Sequence, residues 1–439
     1  MSPLPLRQLQ CALFALVLQF TATLALAQPT TAPTTAPAPR EWIDPDTGHR
    51  IHRLTDEPNS TGFYFNINAY TPDGKRMVYS APDGIHVLDL ASKQSRLLVA
   101  ADAPGQLRTV MVGRRTATLY YVDTRERALY VADVETAQTR KLASLPPRGR
   151  VDTINADETL AAGTFIEGTA GEDYGQRRVN PPGLSGPLVQ PLNKGEMMER
   201  RLAARLPMVL FTVDLKTGER RDILHSTDWL NHLLFSPTDP ALLMYCHEGP
   251  WHKVDRIWTV RTDGSDNQRI HKRSMAMEIA GHEFWVPGGK TIWYDLQTPR
   301  GEVFWLAGYD LATKQRHWYH LERDEWSIHF NVSSDDGALF CGDGGDAGQV
   351  ARANDGKWIY LFRPKLNRVD GESPQRNETL VQPGVLKAER LVNMSKHSYK
   401  LEPNVRFSPD RKMVLFTSNM LGPSYVFGVE VEKAAARGE

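Results

Sequence analysis

The sequence has little cysteine, no excess charge of either sign and no long uninterrupted apolar run. Its 439 residues include three cysteines, which lack the spacing of a zinc site. The 52 Lys and Arg residues balance 52 Asp and Glu residues. This balance excludes a general binder of nucleic acid or of a membrane surface, because such proteins normally carry a basic excess. Binding of an acidic substrate is compatible with this balance, because a local cluster of positive groups is enough to bind it.

The N-terminus has the pattern of a secretory signal peptide over residues 1–27. Arg7 precedes an apolar run from Cys11 to Leu26, and Ala25-Leu26-Ala27 has the form of a cleavage site. The run contains polar residues and is short for a membrane span. Residues 28–40 are rich in Pro, Thr and Ala and predict a disordered spacer. We therefore expect a periplasmic or secreted protein, with no membrane segment after cleavage.

Two cysteines remain once the predicted signal is removed, Cys246 and Cys341. An oxidising compartment permits a disulfide between them, but a buried free thiol explains each cysteine at least as well. Spacing along the chain does not fix the distance between the two Cα atoms, so both interpretations stay open.

The strongest pattern in the chain is an internal repeat. Turn sequences such as TPDG, SPTD and SPD introduce apolar, alternating strands, as in TPDGKRMVYS, SPTDPALLMYC and SPDRKMVLFTSN. Seven such units can be counted, with a period of roughly 45 residues, which is typical of β-propeller blades. The repeat predicts an all-β, seven-bladed β-propeller over residues 41–439. The aspartates of the turns are expected to cap local backbone amides.

Two further features of the repeat concern its ends and its loops. A short strand at residues 49–54 precedes the first unit and is expected to pair with the last blade, which closes the ring and removes exposed sheet edges. Insertions near 167–205 and 345–395 stretch the third and sixth units. Long insertions in a repeat scaffold tend to be functional loops over one face.

Several histidines fall outside the register of the repeat. Equivalent positions of adjacent blades converge on the axis of a propeller, so such residues can meet despite their separation in sequence. Each one alone is as readily a satisfied core or turn histidine as a functional one. The set in the fourth to sixth units is His232, His247, His252, His282 and His329.

The last unit adds polar groups in KHSYKLEPNVRFSPD, where Glu402 and Asn404 lie two residues apart and His397 precedes them. Residues two apart share one side of an extended segment. Together with His282 they predict a mixed nitrogen and oxygen shell for a divalent metal such as manganese. A capped turn explains Glu402 and Asn404 about as well.

Four motifs carry a resemblance to a known family: WLNHLLFSP, YCHEGPWHKVDRIW, GHEFWVPGGK and FSPDRKMVLFTSN. With them the chain resembles the oligogalacturonate lyases, seven-bladed β-propeller enzymes that degrade short pectin fragments. The resemblance covers nearly all of residues 41–439. It implies that His247, in HEGP, is the Brønsted base and that His282, in HEFW, is a manganese ligand.

The chain departs from the family pattern at other ligand positions. Where family members have HPHP, this chain has EPNV, so Glu402 and Asn404 replace two ligand histidines. A family glutamine ligand corresponds roughly to Tyr399, with His397 close enough to replace it, and His329 is a further candidate ligand.

The resemblance also leaves the neutralisation of the substrate carboxylate to be assigned. The arginine that the family has near residues 210–213 is not apparent, and Arg205 and Arg273 are the candidates. Three further residues are candidate substrate contacts. His232 lies in the motif WLNHLLFSP, and His252 and Lys253 lie in YCHEGPWHKVDRIW.

These residues predict a lyase that cleaves acidic uronic-acid oligosaccharides by metal-assisted β-elimination, with His247 as the base and a divalent metal, manganese first, as cofactor. Two alternatives stay open. One is a lyase for another uronate-containing glycan, to which the EPNV departure points. The other is a non-enzymatic, TolB-like periplasmic propeller that binds glycan or protein.

Overall fold

Short strands joined by tight turns dominate the computed structural model, which describes residues 38–168, 176–179, 188–367 and 380–435. The predicted signal peptide and residues 28–37 of the predicted spacer lie outside this part. Alternation of apolar and polar residues over five to seven positions favours strands because successive side chains point to opposite faces of a sheet. The predicted all-β class is confirmed.

The strands of the first half of the chain have the following bounds: β1 Glu41–Ile43, β2 His49–Arg53, β3 Arg76–Ala81, β4 Gly84–Asp89, β5 Ser95–Ala100, β6 Leu107–Val112, β7 Thr118–Asp123, β8 Ala128–Asp133, β9 Thr139–Ser144, β10 Arg150–Ile154, β11 Leu160–Ile166, β12 Gln176–Val179 and β13 Leu188–Pro191. The helix α1, Lys194–Ala204, follows. After it come β14 Met208–Asp214, β15 Arg220–Ser226, β16 Trp229–Phe235, β17 Leu242–Glu248, β18 Ile257–Arg261 and β19 Gln268–Arg269.

The second half continues with β20 Ile279–Trp285, β21 Thr291–Gln297, β22 Phe304–Asp310, β23 Arg316–Leu321, a short 3-10 helix Arg323–Glu325, β24 Phe330–Val332, β25 Phe340–Gly342, β26 Trp358–Leu366, β27 Val381–Asn393, β28 Arg406–Phe407, β29 Met413–Ser418 and β30 Tyr425–Lys433.

Strands that follow one another along the chain pair to form antiparallel sheets. The sheets are β3–β5, β6–β9, β10-β11-β14-β15, β16–β19, and an eight-stranded sheet in which a parallel pairing of β23 with β27 joins β20–β23 to β24–β27. A small sheet pairs β12 with β13. In the last sheet, β28–β30 are joined by β2 and β1, so an N-terminal strand lies beside the C-terminal strand.

The turn aspartates have the role that the sequence predicts. Asp73 Oδ1 accepts the Lys75 amide at 3.0 Å, and Asp410 Oδ1 accepts the Lys412 amide at 3.1 Å. Each carboxylate thereby satisfies the backbone of its own turn. The aspartates of TPDG and SPD are therefore structural.

The two predicted insertions differ in structure. In the first, α1 begins with a capping box, since Asn193 Oδ1 accepts the Glu196 amide at 2.9 Å and Glu196 bonds back to the Asn193 amide. In the range 345–395, β26 and β27 belong to the sheet, while residues 368–379 lie outside the described part.

Buried apolar side chains lie between the sheets, and both remaining cysteines are among them. Cys246 and Cys341 are free thiols in β17 and β25. Of the two interpretations of these cysteines, the free thiols are the ones observed. No helix among the described residues has the length and apolar character needed to cross a membrane.

Candidate functional site

Two histidines occupy bulges in the first strands of their sheets. The pairing of β16 with β17 shifts register between Asn231 and Leu234, at His232, and β20 shifts between Gly281 and Phe284, at His282. Both histidines have left-handed φ angles, 46° and 47°. This conformation costs a residue with a Cβ of the order of 1 kcal/mol or more. Bulges of this kind re-aim a side chain, and they often lie beside functional sites.

His282 and His329 form a pair at the centre of the site. His282 Nδ1 lies 2.8 Å from Asp295 Oδ1, and His329 Nδ1 lies 2.6 Å from Asp343 Oδ2. The ring centroids are 4.9 Å apart and the planes nearly perpendicular. Gly281 leaves room for this arrangement, because a Cβ there would lie 3.2 Å from Asp295 Oδ1. Each aspartate fixes one ring nitrogen and leaves Nε2 for another partner.

The Nε2 atom of His329 differs from the other polar atoms of the pair in its burial and its lack of a partner. It is fully buried and has no hydrogen-bond partner among the described residues. Burial alone would lower the pKa of His329, but the neighbouring Asp343 and, more weakly, Glu402 raise it above its ordinary value. The surroundings therefore favour positive charge at this nitrogen, from either a proton or a cation.

Glu402 and Asn404 lie in the loop beside His329, and they have different roles there. Glu402 Oε2 lies 3.8 Å from His329 Nε2, and its side chain is 47% exposed, so the carboxylate is free to move toward an ion. Asn404 has both ends of its amide engaged, since Oδ1 accepts the Phe65 amide at 3.2 Å and Nδ2 donates to the Glu402 carbonyl at 3.0 Å. Asn404 thus holds the loop that presents Glu402.

Both ring nitrogens of His397 are bonded to groups other than the histidine pair. Its Nδ1 lies 3.0 Å from Ser418 Oγ, and its Nε2 lies 2.9 Å from the Leu401 carbonyl oxygen. Burial lowers its pKa. In this arrangement His397 supports the turn before Glu402.

The side chains around the histidine pair include the donor types that bind a divalent cation. His282 and His329 offer imidazole nitrogens and Glu402 a carboxylate, a set that suits borderline metals such as manganese. The aspartates behind the two histidines are the outer partners that ligand histidines usually have. The buried, unpartnered Nε2 of His329 is the observation that favours an ion in this place.

A second group of donor atoms lies nearby. Among the described residues, a ring nitrogen of His232, the Cys246 thiol and a Glu248 carboxylate oxygen lie within 4.8 Å of one another. Full burial raises the pKa of the Cys246 thiol well above its usual value, so it stays protonated. Glu248 is already bonded to His232 at 3.1 Å and to Arg256 at 2.9 Å. This group is therefore a poorer cation site than the histidine pair.

Arg256 connects the two motifs HEGP and HEFW. Its guanidinium is buried, donating to Glu248 Oε1 at 2.9 Å and to Glu283 Oε2 at 3.1 Å. Trp251 Nε1 also donates to Glu248 Oε1, at 3.1 Å. Burial alone would raise the pKa of Glu248, but Arg256 holds it well below its usual range. A buried ion-pair network therefore fixes the geometry between the two histidine-bearing strands.

His247 lies near the end of β17, the second strand of its sheet. Its ring stacks on Trp258 with centroids 4.8 Å apart, and Nδ1 lies 3.7 Å from Asp228 Oδ2. Burial lowers its pKa, which the Asp228 carboxylate partly offsets and Arg205 reinforces. His247 is therefore largely neutral near pH 7, the form that a general base requires.

The predicted basic residues have specific partners. Arg205, the C-cap of α1, is paired with Asp228, whereas Arg273 Nε donates to Asp255 Oδ1 at 3.1 Å. Arg273 also donates to the backbone carbonyl of His252. Of the two arginines proposed for the substrate carboxylate, Arg205 is the one that shares a carboxylate partner with His247.

The helix of the first insertion contacts the loop that follows His247. Lys253 Nζ lies 2.9 Å from Glu199 Oε2 on α1, and the ammonium of Lys194 lies 5.4 Å from the ring centroid of Trp251. Lys253 is thus engaged with α1. The helix forms a wall beside the loop HEGPWHK.

The residues that orient these histidines are not evident from the sequence motifs. Each histidine of the pair is followed by its aspartate at nearly the same spacing, 13 residues for His282 and 14 for His329. In a hairpin, this spacing places the aspartate on the adjacent strand beside the histidine. The signal is visible in the sequence once β20–β21 and β24–β25 are treated as hairpins. The functional side chains not singled out from sequence are Asp228, Arg256, Trp258, Asp295 and Asp343.

Together these features describe an all-β protein of successive antiparallel sheets, whose first strands present a histidine and carboxylate site. The profile of the family described as Oligogalacturonate lyase matches residues 189–434, more than half of the chain. The chain belongs to the oligogalacturonate lyase family, a family of carbon–oxygen lyases. The resemblance and the enzyme class predicted from the sequence are therefore confirmed.

Relatives match along most of their length. The chain is 25% identical over 402 residues to an oligogalacturonate lyase of Dickeya dadantii, covering 89% of this chain and 95% of the relative. An oligogalacturonide lyase of Pectobacterium atrosepticum is also 25% identical, with the same coverage.

Two solved structures share the fold. An oligogalacturonate lyase in complex with manganese superposes with a TM-score of 0.70 at 23% identity, covering 90% of this chain and 96% of the other. An oligogalacturonate lyase from Vibrio parahaemolyticus has a TM-score of 0.69 at 22% identity, with the same coverage.

Proposed function

We propose that this protein cleaves oligogalacturonate-type uronic-acid oligosaccharides by β-elimination, with His247 as the base and a divalent cation at His282, His329 and Glu402. The observation that carries the proposal is the pair of aspartate-anchored histidines, in which the buried Nε2 of His329 has no partner among the described residues. The names of the relatives support the substrate class. The manganese bound by a solved relative supports manganese as the cation.

The scaffold of the proposal is a ring of seven blades. The sheets β3–β5, β6–β9, β10-β11-β14-β15, β16–β19, β20–β23, β24–β27 and β28–β30 with β2 supply one blade each. The pairing of β2 with β30 supports closure of the ring by the N-terminal strand. In a closed ring, the first strands of all the blades face a common axis, which accounts for His232 in β16, His282 in β20 and His329, directly before β24, facing that axis.

In the proposed reaction, neutral His247 removes the proton at C5 of the uronate. The C–H electron pair becomes the C4–C5 double bond, and the C4–O bond breaks with its electron pair leaving on the departing oxygen. Asp228, 3.7 Å from His247 Nδ1, stabilises the imidazolium that results. A divalent cation, when bound, neutralises the uronate carboxylate and stabilises the developing enolate.

Arg205 is the side chain best placed to assist with the substrate carboxylate. It is paired with Asp228, and its charge contributes to the lowered pKa of His247. A guanidinium offers five N–H donors, so the ion pair leaves others for a carboxylate. The stacked ring of Trp258 limits the orientations open to His247.

We also propose that the protein acts after export, in the periplasm or outside the cell. The support is the pattern of residues 1–27 and the spacer that follows. N-terminal sequencing of the protein recovered from fractionated cells tests this, and a mature protein that starts at Met1 in the cytoplasm would contradict it.

Activity is tested by incubating the purified protein with manganese and digalacturonate, and in parallel with a glucuronate-containing oligosaccharide. The expected result is an unsaturated product that absorbs in the ultraviolet. The proposal is refuted if a folded, metal-loaded protein forms no such product from any of the uronides.

A further inference from the structure

A cavity lined by Phe65 lies at the C-terminal ends of β20, β24 and β28. It has a volume of about 460 Å³, which is within the range of small-molecule sites. Residues after β20, β24 and β28 line it, including Val286, Ser333 and Ser408. Its arginines are Arg114, Arg406 and Arg411, and we call it the arginine cavity.

Phe65 separates the arginine cavity from the histidine site. Its ring centroid lies 4.7 Å from that of His329 and 6.4 Å from that of His282, while the same residue lines the arginine cavity. Phe65 is 1% exposed. On β20, His282 faces the histidine site, whereas Trp285 lines the arginine cavity. The arginine cavity is therefore a distinct space at the opposite end of the same strands.

The charge of the arginine cavity has one sign. Its lining includes three arginines and, among the described residues, neither aspartate nor glutamate. The carboxylates of the adjoining turns, Asp73 and Asp410, are bonded to their own turns. The pKa of the exposed Asp336 is lowered by the hydrogen bonds that it makes with Ser334 and Ala338, and the charge of Arg411 lowers it less than they do.

Arg406 and Arg114 differ in their surroundings. Arg406 donates to backbone carbonyls, to that of Ile67 at 2.9 Å and that of Tyr64 at 2.8 Å, and thereby fixes the segment that carries Phe65. Arg114 has no hydrogen bond or ion pair with any residue in the described part of the chain. Burial without a carboxylate lowers its pKa to about 10. Arg114 is half-buried and its charge has no counter-charge among the described residues, so an anion beside it would be bound favourably.

We propose that the arginine cavity is a second binding site, for a small ligand bearing a carboxylate or phosphate group, held by Arg114 and Arg411. A guanidinium matches either oxyanion with two parallel N–H donors. Arg406 shapes the floor of the site and adds positive charge. The proposal is independent of the lyase reaction, because it concerns a space on the far side of Phe65.

Binding is tested by calorimetric titration of the full-length protein carrying His282→Ala, which weakens the histidine site. D-galacturonate and inorganic phosphate are titrated separately, so that a preference between carboxylate and phosphate is measured. We expect one site for at least one of the two ligands. Arg114→Gln should weaken it about ten-fold or more, since a charge-assisted hydrogen bond is lost.

The matched control is Arg115→Gln, which removes the same charge from the adjacent, exposed residue whose side chain does not line the cavity. This variant should bind as its parent does. Should Arg114→Gln fail to fold, Arg411→Gln, at an exposed residue on the rim, replaces it with the same expected loss. The proposal is overturned if neither ligand binds the His282→Ala protein, or if the arginine variants and the control bind equally.

Discussion

The Nδ1 atom of His329 lies 2.6 Å from Oδ2 of Asp343, and Oδ1 of the same carboxylate accepts the His329 amide at 3.0 Å. This bidentate contact fixes both the ring and the backbone of the histidine. The ring contact recurs in the hairpin β20–β21, where His282 Nδ1 lies 2.8 Å from Asp295 Oδ1. Two independent hairpins thus present imidazoles whose Nε2 atoms are available, and this repetition is the basis of the proposed metal site.

Asp295→Asn should weaken manganese binding about 10- to 100-fold, because an amide orients the His282 ring less well and adds no negative charge behind it. The dissociation constant is measured by calorimetry on the metal-free protein. Asp310→Asn is the control, since Asp310 is a half-buried residue at the end of β22 whose Oδ1 accepts backbone amides that an asparagine oxygen can also accept. Equal affinity of the two variants would contradict the orienting role.

His247→Ala should abolish turnover and leave the manganese content unchanged, because His247 is proposed to move the proton and to hold no metal. Metal content is measured by elemental analysis, and turnover by the ultraviolet absorbance of the product. His282→Ala should instead lose the bound manganese, because His282 is a proposed ligand. The control is His225→Ala, whose side chain is 61% exposed. A His247→Ala protein that keeps full activity would refute the assignment of the base.

The acid limb of kcat/KM should lie below about pH 6.5, the ordinary value for histidine. A base must be deprotonated, so activity rises with pH through its pKa, and burial lowers that pKa in His247. Asp228 raises the pKa of His247, while Arg205, its ion-pair partner, lowers it. Asp228→Asn should therefore shift the acid limb to still lower pH. A shift to higher pH in this variant would show that Asp228 acts otherwise.

Arg256→Met should lower the free energy of unfolding by about 3–5 kcal/mol, because it leaves Glu248 and Glu283 buried without their counter-charge. Chemical denaturation measures the effect. Arg261→Met is the matched control, since its ion pair with Asp239 is more than one-third exposed and contributes about 0–1 kcal/mol. A cost for Arg256→Met no larger than that of the control would show that the network contributes little.

Some details of the site could have been read from the sequence, and others could not. The 13- and 14-residue spacing between each histidine and its aspartate is a hairpin property, visible once the strands are assigned. By contrast, His397 lies five residues before Glu402 in the sequence and is an equal candidate for the metal on sequence grounds. Its ring is turned to Ser418 and the Leu401 carbonyl, which depends on packing against β29.

By itself, the sequence determined the all-β class, the family and the turn aspartates. These features depend on alternation of side chains and on short-range hydrogen bonds, which neighbouring residues specify. Only the tertiary structure decided that Arg256 links Glu248 to Glu283 and that His329 meets His282. Such contacts join separate hairpins, and their distances depend on how the sheets are placed around one another. The pattern within a single strand carries no information on that placement.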